Sequence, residues 1–451
     1  MVVPRAKDDM TVLGILAFEA AATMSRLVSL HRSLSDSEIS HLRSETMRSQ
    51  GVAYLNSTDQ SLLVRLACAE LIVDLDRAAG AISCLSLRCR RAMPVGFSKL
   101  YADLKSGSID PSRLGIKSAG KSIEKRVKKM EKYVSATSRL YQEMELLNAM
   151  EATERRSWRR FSGPILTQKA QQLASDTLQL DIKSQHQKVR RLKVDSLWNQ
   201  SFDKAIDIMA LAAYSIFARA CVVFSPFVSG LPNIVVYKES SRLSFATPHL
   251  KFRIHPRSGP LERTPTVKEV AIRNSCPILR TKDDNENGRV DWIQTLHPTS
   301  RTVGGSGLAL LYANVILQAE KVMLDGDALA EDREELYSSL PLALKSMVRT
   351  KLRDCWKERG SSDGELAKGW KDAMWRIFGW LGPVAHDTVR WQKERTMDRM
   401  QRFESGPRVL MLQTLHFSDR EKTEAAIAEV LVGLSLVCWY DEQRRGSMRY
   451  C

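Results

Sequence analysis

The segment IEKRVKKMEKYVSATSRLYQEMELL, residues 123–147, decides the fold class of this 451-residue chain. Steps of four and three residues separate its apolar or bulky side chains, which put them on one helix face and follow a heptad over nearly four repeats. These side chains are Ile123, Val127, Met130, Val134, Thr137, Tyr141, Met144 and, one place off, Leu147. The pattern predicts one long helix, packed in a bundle, which is the interpretation we favour, or in a coiled coil.

Helical patterns extend from this segment towards the N-terminus. Apolar residues recur at helical spacing from Leu13 to Leu30, and two capping boxes mark further helix starts. These boxes are Ser35 with Glu38 and Ser57 with Gln60. Because amphipathic helices need one another for burial, we expect an antiparallel helical unit over residues 11–100.

The heptad segment belongs to a second predicted unit, a basic helical or coiled-coil middle region over residues 115–225. The polar stretch Lys169–Lys193 continues the helical pattern, and the apolar stretch Phe202–Phe224 closes the unit. The most apolar part of that stretch, residues 208–218, is shorter than the roughly 20 residues that span a bilayer. We therefore expect a buried helix there and no transmembrane segment.

The remaining sequence divides into a linker and a C-terminal helical domain. Eight of the fifteen prolines lie between Pro226 and Pro298, which predicts an irregular Pro-rich linker over residues 226–300. Within it, Leu250, Phe252 and Ile254 occupy alternate positions, a pattern that is also compatible with a β-hairpin. Helical patterns return over residues 301–442, with expected interruptions near Pro341, 360–364, Pro383 and Pro407 and capping boxes at Ser362 with Glu365 and Ser418 with Glu421. The predicted fold is all-α, with helical bundles, one long heptad-like helix and this linker.

Composition limits the compartment and the chemistry. The eight cysteines form no CxxC pair, and acidic Asp8 and Asp9 precede the first apolar stretch, which lacks the core of a secretory signal. We expect an intracellular protein in the nucleus, the cytoplasm or both, with peripheral association at the plasma membrane left open, and not a secreted one.

Two short motifs resemble catalytic or ligand-binding motifs, but we favour a structural role for both. The turn Gly304–Gly307 precedes a helix but lacks the lysine and spacing of a phosphate-binding loop. His386 and Asp387 form a pair without the further ligands that a two-metal site needs. We therefore predict no catalytic residue, no metal ligand and no cofactor, and expect a protein that is not an enzyme.

Basic residues are concentrated in the middle region. Between Lys117 and Lys193 there are 18 Lys and Arg against 8 Asp and Glu, within a net charge of +16 for the chain. The clusters form a candidate patch for localisation or an anionic partner: Lys125, Arg126, Lys128, Lys129, Arg155, Arg156, Arg159, Arg160, Arg190 and Arg191. An acidic protein, an anionic membrane surface and nucleic acid are all open as partners, although no nucleic-acid module shows its motif. The alternative is a solvated helix face.

Four C-terminal tryptophans are interleaved with basic residues. These are Trp370, Trp375, Trp380 and Trp391. Such an arrangement is open to interpretation as a platform on which nucleic-acid bases stack. At helical spacing, however, tryptophans more often anchor a core, and we favour that interpretation.

Several longer strings resemble a known family. LGILAFEA at 13–20 and VRLACAE at 64–70 resemble the N-terminal domain of the plant PSK-simulator proteins. VGGSGLALLYANVI at 303–316, DREELY at 332–337 and AHDTVRWQ at 385–392 resemble the second domain of that family. The resemblance covers roughly 11–100 and 300–440, two paired domains of unknown function. Val2 stands where lipidated members carry a glycine, which places the chain nearer an unlipidated branch.

The resemblance implies a function that composition does not. It implies a plant regulator that promotes growth, linked to phytosulfokine peptide-hormone signalling, without catalytic activity or cofactor. We therefore expect a non-enzymatic adaptor that binds signalling proteins. The alternative hypothesis is a basic nuclear protein that binds nucleic acid.

Overall fold

The computed structural model describes residues 12–89, 96–109, 119–159, 168–232, 291–324, 330–357, 364–395 and 403–448. Within these ranges the regular structure is helical, and the only β-type pairing consists of two isolated bridges, Val12 with Ser201 and Thr302 with Asp419. The all-α prediction is confirmed. The α-helices are α1 (Ala17–Ser33), α2 (Asp36–Ser44), α3 (Gln60–Ser86), α4 (Phe97–Lys105), α5 (Ala119–Arg159), α6 (Gln168–Asp195), α7 (Phe202–Phe224), α8 (Trp292–Thr295), α9 (Ala309–Leu324), α10 (Ala330–Ser339), α11 (Leu342–Lys357), α12 (Gly364–Arg395) and α13 (Arg420–Met448).

The first hydrophobic core joins the N-terminal helices to part of the middle region. Helices α1, α3, α4 and α7 pack around it, together with the first half of α5. Helix α7 is buried on most of its circumference, because it lies against α1, α3 and α5 at once. This explains why its sequence is apolar almost without interruption.

Helix α5 confirms the predicted long helix, and its apolar stripe has two different partners. Ile123, Val127, Met130 and Val134 enter the first core. Further along, Leu140 and Leu147 form a small separate cluster with Ile182 and Val189 of α6. The heptad-like segment is therefore buried within its own chain, first in a bundle and then against one antiparallel helix.

The second core belongs to the C-terminal helices. Buried residues of α9, α11, α12 and α13 meet there, and they are joined by Leu55 from the turn before α3. Gly51 lies on the same turn, and a Cβ added there would come 2.5 Å from the carbonyl oxygen of Trp380. The N-terminal region thus contributes a side chain and a close backbone contact to the C-terminal core.

The predicted division into four ranges is not itself tested by the helix boundaries. The helices predicted for 11–100 and 115–225 share the first core, and those predicted for 301–442 form most of the second. Residues 233–290 of the predicted Pro-rich linker, with the hairpin at Leu250, Phe252 and Ile254, lie outside the described residues. The end of the predicted linker is not irregular throughout, because it contains the short helix α8, whose Trp292 enters the first core. The four-part division stays a prediction about folding units.

Helix starts follow the predicted capping boxes in one case and depart from them in two. The Ser35 hydroxyl accepts from the Glu38 amide, as predicted. Before α3, however, the cap is Asp59, whose carboxylate accepts from the amides of Ser61 and Leu62. The aspartate lies next to the helix and reaches two free amides, so it displaces Ser57.

The second departure concerns α13. The Asp419 carboxylate accepts from the Lys422 amide, whereas Ser418, the predicted cap, donates its hydroxyl to Asn56. The box at Ser362 falls outside the described residues, which resume at the start of α12.

The expected interruption at Pro383 is wrong, because α12 continues through it from Gly364 to Arg395. Proline removes the hydrogen bond to the carbonyl four residues earlier, here that of Gly379. Both Gly379 and Pro383 are exposed, so the loss of this hydrogen bond does not leave a buried carbonyl unpaired, and the helix persists. Two other expected interruptions are confirmed: α10 ends before Pro341, and Pro407 lies in a non-helical segment. The one at 360–364 falls on residues 358–363, outside the described residues, apart from Gly364 at the start of α12.

Two helices are long and apolar enough to cross a membrane by length and composition. They are α7 and the part of α13 up to Asp441. In each, 67% of the most apolar window is buried against other helices of the chain. The absence of a transmembrane segment therefore remains a prediction.

Candidate functional site

The most developed polar arrangement lies between the two cores, and we call it the seam. Its centre is the segment 403–419, which follows α12 and runs between the N-terminal and C-terminal helices. Helix α1 binds the backbone of this segment with three polar side chains. Ser25 and Ser29 donate to the carbonyls of Glu404 and Gly406 at 2.5 and 2.7 Å, and Arg32 donates to that of Ser405 at 2.8 Å.

Glu70 is the most buried charge of the seam. Its side chain is 5% exposed and forms an ion pair with Arg395 of α12. Trp391 donates its indole N–H to Glu70 Oε1 at 3.0 Å, and the Met411 amide donates to Oε2 at 2.6 Å. The Arg395 guanidinium also lies 4.5 Å from the centre of the Trp391 ring. One carboxylate thus connects α3, the end of α12 and the segment 403–419.

A second buried carboxylate, Asp74, lies one helical turn further along α3. Arg408 donates to its Oδ2 at 3.4 Å, and Arg26 of α1 lies 3.7 Å from Oδ1. Arg408 is itself mostly buried, with 15% of its side chain exposed. Because an unpaired buried charge is costly, these pairs hold the segment in one register against α1 and α3.

Asn56 makes the third connection, at the other end of the segment. Its amide N–H donates to the Leu412 carbonyl at 2.5 Å, and its carbonyl accepts from the Ser418 hydroxyl at 2.7 Å. The Asp419 amide donates to the Leu55 carbonyl at 2.8 Å beside it. All of the polar atoms named here are paired, so the turn before α3 is fixed to the start of α13.

Burial sets the protonation behaviour of the seam. Desolvation raises the pKa of the Glu70 carboxyl, while Arg395 and the hydrogen bonds from Trp391 and Met411 oppose the rise. Desolvation likewise lowers the pKa of the Arg408 guanidinium, and Asp74 opposes that change. Each group therefore depends on its partner to remain charged in a dry environment.

A cleft of about 220 Å³ opens beside the seam, between α2, α12 and the segment 403–419. Asp387 lies on its wall, where Gln413 donates to Oδ2 at 3.5 Å. Burial raises the pKa of Asp387 to about 6. The volume is below the roughly 300–1,000 Å³ of ordinary ligand pockets, so the cleft suits water or one side chain better than a cofactor.

The predicted basic patch is not one surface in the structure. Lys125, Lys128 and Lys129 are exposed near the start of α5, with Arg126 half-buried beside them. At 1.5 Å of rise per residue, the exposed Arg155 lies about 45 Å further along the same helix.

The other members of the patch lie elsewhere or outside the described residues. Arg156 is exposed beside Arg155, and Arg190 and Arg191 are exposed on α6, opposite the middle of α5. Arg160 lies outside the described residues, as does the side chain of Arg159. The basic residues thus form separate surfaces, and their role in localisation stays a prediction.

The structure gives the Gly304–Gly307 turn a packing reason. A Cβ at Gly304 would come 2.4 Å from the His416 carbonyl oxygen, and one at Gly305 would come 1.9 Å from that of Thr299. Gly307 has a φ of 72°, a region that favours glycine. This turn packs against the end of the segment 403–419.

The pair His386 and Asp387 is divided between two environments. His386 extends to Glu320 of α9, with 2.9 Å between Nε2 and Oε2, while Asp387 faces the cleft. Among the described residues, no group of three or more His, Cys, Asp or Glu side chains is placed to hold a metal ion.

The four tryptophans do not form one platform. Trp370 and Trp380 pack against the second core, and Trp391 donates its indole N–H to Glu70 in the seam. Trp375 is 46% exposed on α12. The structure therefore supports a packing role for Trp370, Trp380 and Trp391.

The seam itself was not predicted from the sequence, although two signals were available. Glu70 and Asp74 stand four residues apart and interrupt a largely apolar stretch of α3, so both carboxylates share one buried face. Arg395 and Arg408 flank the break after α12, which makes them candidate partners. Their pairing requires the tertiary fold, because more than 300 residues separate the partners.

Comparison with known proteins finds two family models that match parts of the chain. The model "Domain of unknown function (DUF3475)" matches residues 15–71, and "Protein of unknown function (DUF668)" matches residues 302–390. The first match ends just after Glu70, and the second ends just before Trp391.

Curated relatives match almost the whole chain. It is 25% identical over 431 residues to Protein PSK SIMULATOR 1 of Arabidopsis thaliana and 26% identical over 447 residues to Protein PSK SIMULATOR 3 of the same plant. These alignments cover 94% and 97% of this chain, which spans only 55% and 58% of the relatives' length. No solved structure matches the chain significantly.

Proposed function

Because the chain is a homologue of the PSK SIMULATOR proteins over nearly its whole length, we propose that it is a plant regulatory protein related to phytosulfokine signalling. We further propose that it promotes growth and acts as a non-enzymatic adaptor, binding signalling proteins through its helical surfaces. The observation that carries the proposal is the homology, which includes both paired domains.

The seam supports the adaptor part of the proposal. It fixes α1 and α3 against the C-terminal helices through Glu70, Asp74 and Asn56. Two domains held in one orientation offer a composite surface of constant shape. A partner that contacts both domains then loses less conformational entropy on binding than it would with two mobile domains.

Complementation tests the regulatory role. The chain is expressed in Arabidopsis plants that lack PSK SIMULATOR 1, 2 and 3, and root growth is measured with and without phytosulfokine. We expect restored growth from the wild-type chain and from Arg376→Met, since Arg376 is exposed on α12 and donates to the Asp372 carbonyl of its own helix. We expect loss of restoration from Arg395→Met, which breaks the seam. Normal accumulation of the wild-type chain without any restored growth would refute the role.

Localisation to the nucleus, the cytoplasm or the plasma-membrane periphery is the next part of the proposal. The cluster Lys125, Arg126, Lys128 and Lys129 is the candidate determinant, because its lysines are exposed. Neutralising these four residues to Gln should redistribute a fluorescent fusion, whereas the same change at four exposed cations outside the candidate patch, Arg349, Arg353, Lys368 and Arg376, should not. An unchanged distribution of the first variant would remove the cluster from this role.

Partners decide between the adaptor and the alternative nucleic-acid protein. Crosslinked co-purification from plant cells, with and without nuclease, should recover the same signalling proteins in both conditions. Loss of nearly all partners after nuclease would contradict the adaptor proposal and favour binding to nucleic acid.

A further inference from the structure

The cleft beside the seam is lined by residues from both ends of the chain. Helix α2 contributes Glu38 and His41 to its wall, α12 contributes Asp387 and Arg390, and the segment 403–419 contributes further side chains. Its volume of about 220 Å³ exceeds the roughly 150 Å³ in which an engineered protein cavity binds benzene. The cleft therefore has room for one long side chain.

The cations that line the cleft are already paired with carboxylates. These carboxylates are not among the residues that line it. The pairs are Arg390 with Glu394 at 3.0 Å, Arg408 with Asp74 at 3.4 Å and His41 with Glu45 at 3.1 Å. The positive charge of the cleft wall is thus directed away from its interior.

The two acidic residues of the wall lack such partners. Asp387 accepts a hydrogen bond from Gln413 at 3.5 Å, which is long for such a bond. Within the part of the chain that the structure describes, neither Asp387 nor Glu38 forms an ion pair. Burial raises the pKa of Asp387 to about 6, although Arg390 and His386 oppose the rise from a distance. The cleft therefore holds two carboxylates without a close cation.

We propose that this cleft binds one arginine side chain of a partner protein, with Asp387 as its main acceptor. The proposal rests on the adaptor function proposed above and specifies the chemistry of the partner. A guanidinium is more weakly hydrated than an ammonium and carries five donors, so it enters a partly buried site at lower cost and bonds several acceptors at once. Leu42, Leu71 and Leu410 also line the cleft and suit the methylene stem.

The position of the cleft gives the inserted side chain a particular role. Its wall combines α2, from the N-terminal part of the chain, with α12, from the C-terminal part. A single arginine in the cleft would therefore contact both. The partner would recognise the two parts only in the orientation that the seam maintains.

A small probe tests the proposal on the purified full chain. The probe is Nα-acetyl-arginine methylamide, and saturation-transfer NMR measures its binding at about 150 mM NaCl, where the net charge of +16 is screened beyond about 8 Å. A ligand of this size should bind with a Kd of roughly 1 mM. The citrulline analogue has the same shape without the charge and should bind at least about tenfold more weakly.

Two outcomes with these probes would overturn the proposal. One is the absence of saturable binding of the arginine probe up to about 10 mM, and the other is equal binding of the citrulline analogue. Neither outcome bears on the restoration of root growth, so failure of this site is distinguishable from failure of the regulatory role.

Three variants then identify the acceptor, and they have different expected effects. Asp387→Asn should weaken binding of the arginine probe at least about tenfold, and circular dichroism should show an intact helical fold. Arg390→Met should strengthen binding about two- to fivefold, because it removes the nearest competing cation. Asp372→Asn, an exposed position on α12 outside the cleft, should bind the probe like the wild type.

The opposite signs separate a charged site from a general loss of structure, which would weaken binding in both cleft variants. Unchanged binding in Asp387→Asn, or weaker binding in Arg390→Met, would overturn the assignment. Weaker binding in Asp372→Asn would overturn it as well, since the probe would then respond to carboxylates in general.

Discussion

The substitution Arg395→Met removes the only arginine paired with Glu70 among the described residues, and it measures how much the seam depends on that charge. The Glu70 side chain is 5% exposed, so its carboxylate would remain buried without a cation. Breaking a buried ion pair typically costs about 3–5 kcal/mol. Glu70 keeps its hydrogen bonds from Trp391 and the Met411 amide, which places the expected loss near the lower end, at about 3 kcal/mol.

A second substitution separates the charge from the packing. In Glu70→Gln with Arg395→Met, no buried charge remains and the Gln carbonyl can still accept a hydrogen bond. The double variant should therefore be more stable than Arg395→Met alone by about 1–3 kcal/mol. Arg376→Met on the same helix is the control, with an expected change within about 0.5 kcal/mol, because Arg376 is exposed.

Protonation provides a further check on the same variant. Burial raises the pKa of Glu70, and loss of Arg395 removes the strongest opposing charge. A carboxyl with a raised folded-state pKa contributes stability at low pH that is lost as pH rises through that pKa. The deficit of Arg395→Met relative to the wild type should therefore shrink as pH falls from neutral.

Urea unfolding followed by tryptophan fluorescence and circular dichroism gives these free energies. A loss below about 1 kcal/mol for Arg395→Met would refute the assignment of Glu70 as a dependent buried charge. Additivity of the two substitutions would refute their coupling.

Three further predictions concern other parts of the structure. Asp387→Asn should raise the free energy of unfolding at pH 7 by about 1–3 kcal/mol and remove a pH dependence. Because the folded-state pKa of the wild-type carboxyl is raised to about 6, this carboxyl stabilises the fold below pH about 4 and loses that contribution as pH rises through about 6. Urea titrations from pH 4 to 8 measure both effects. Gly305→Ala should lower the free energy of unfolding by at least about 2 kcal/mol, because its Cβ would collide with the Thr299 carbonyl. Gly369→Ala, on an open face of α12, should raise it by about 0.5–1 kcal/mol. Thermal unfolding compares the stabilities of the two variants, and equal effects would contradict the packing of Gly305. Asn56→Ala should cost about 1–3 kcal/mol by leaving the Leu412 carbonyl and the Ser418 hydroxyl buried and unpaired, and an unchanged unfolding midpoint would contradict the role of this side chain.

Local sequence patterns predict much of the helical framework. The heptad-like segment gives α5, the polar stretch after it gives α6, and the apolar stretch Phe202–Phe224 gives α7, because each pattern repeats with the helical period over many residues. The departures arise where a neighbouring residue competes. Asp59 and Asp419 replace the serines as caps, and α12 passes through Pro383 at a point where Gly379 and Pro383 are exposed.

The seam is harder to predict because its information is not local. Glu70 alone looks like a polar interruption of an apolar helix, and only the fold brings it to Arg395 and Met411. The basic clusters show the opposite difficulty. Sequence proximity suggests one patch, whereas the length of α5 separates Lys125 from Arg155. Three-dimensional distance, not charge count, decides which cations can act together.

The central claim is that the seam joins the N-terminal and C-terminal helices into one cooperative unit. Hydrogen-exchange mass spectrometry across a urea series tests it directly, with peptides from α3 and α13 reporting on the two cores. We expect both peptides to lose protection at the same urea concentration, and Arg395→Met to shift both by the same amount. Separate midpoints, or a shift of only one core in the variant, would contradict the claim.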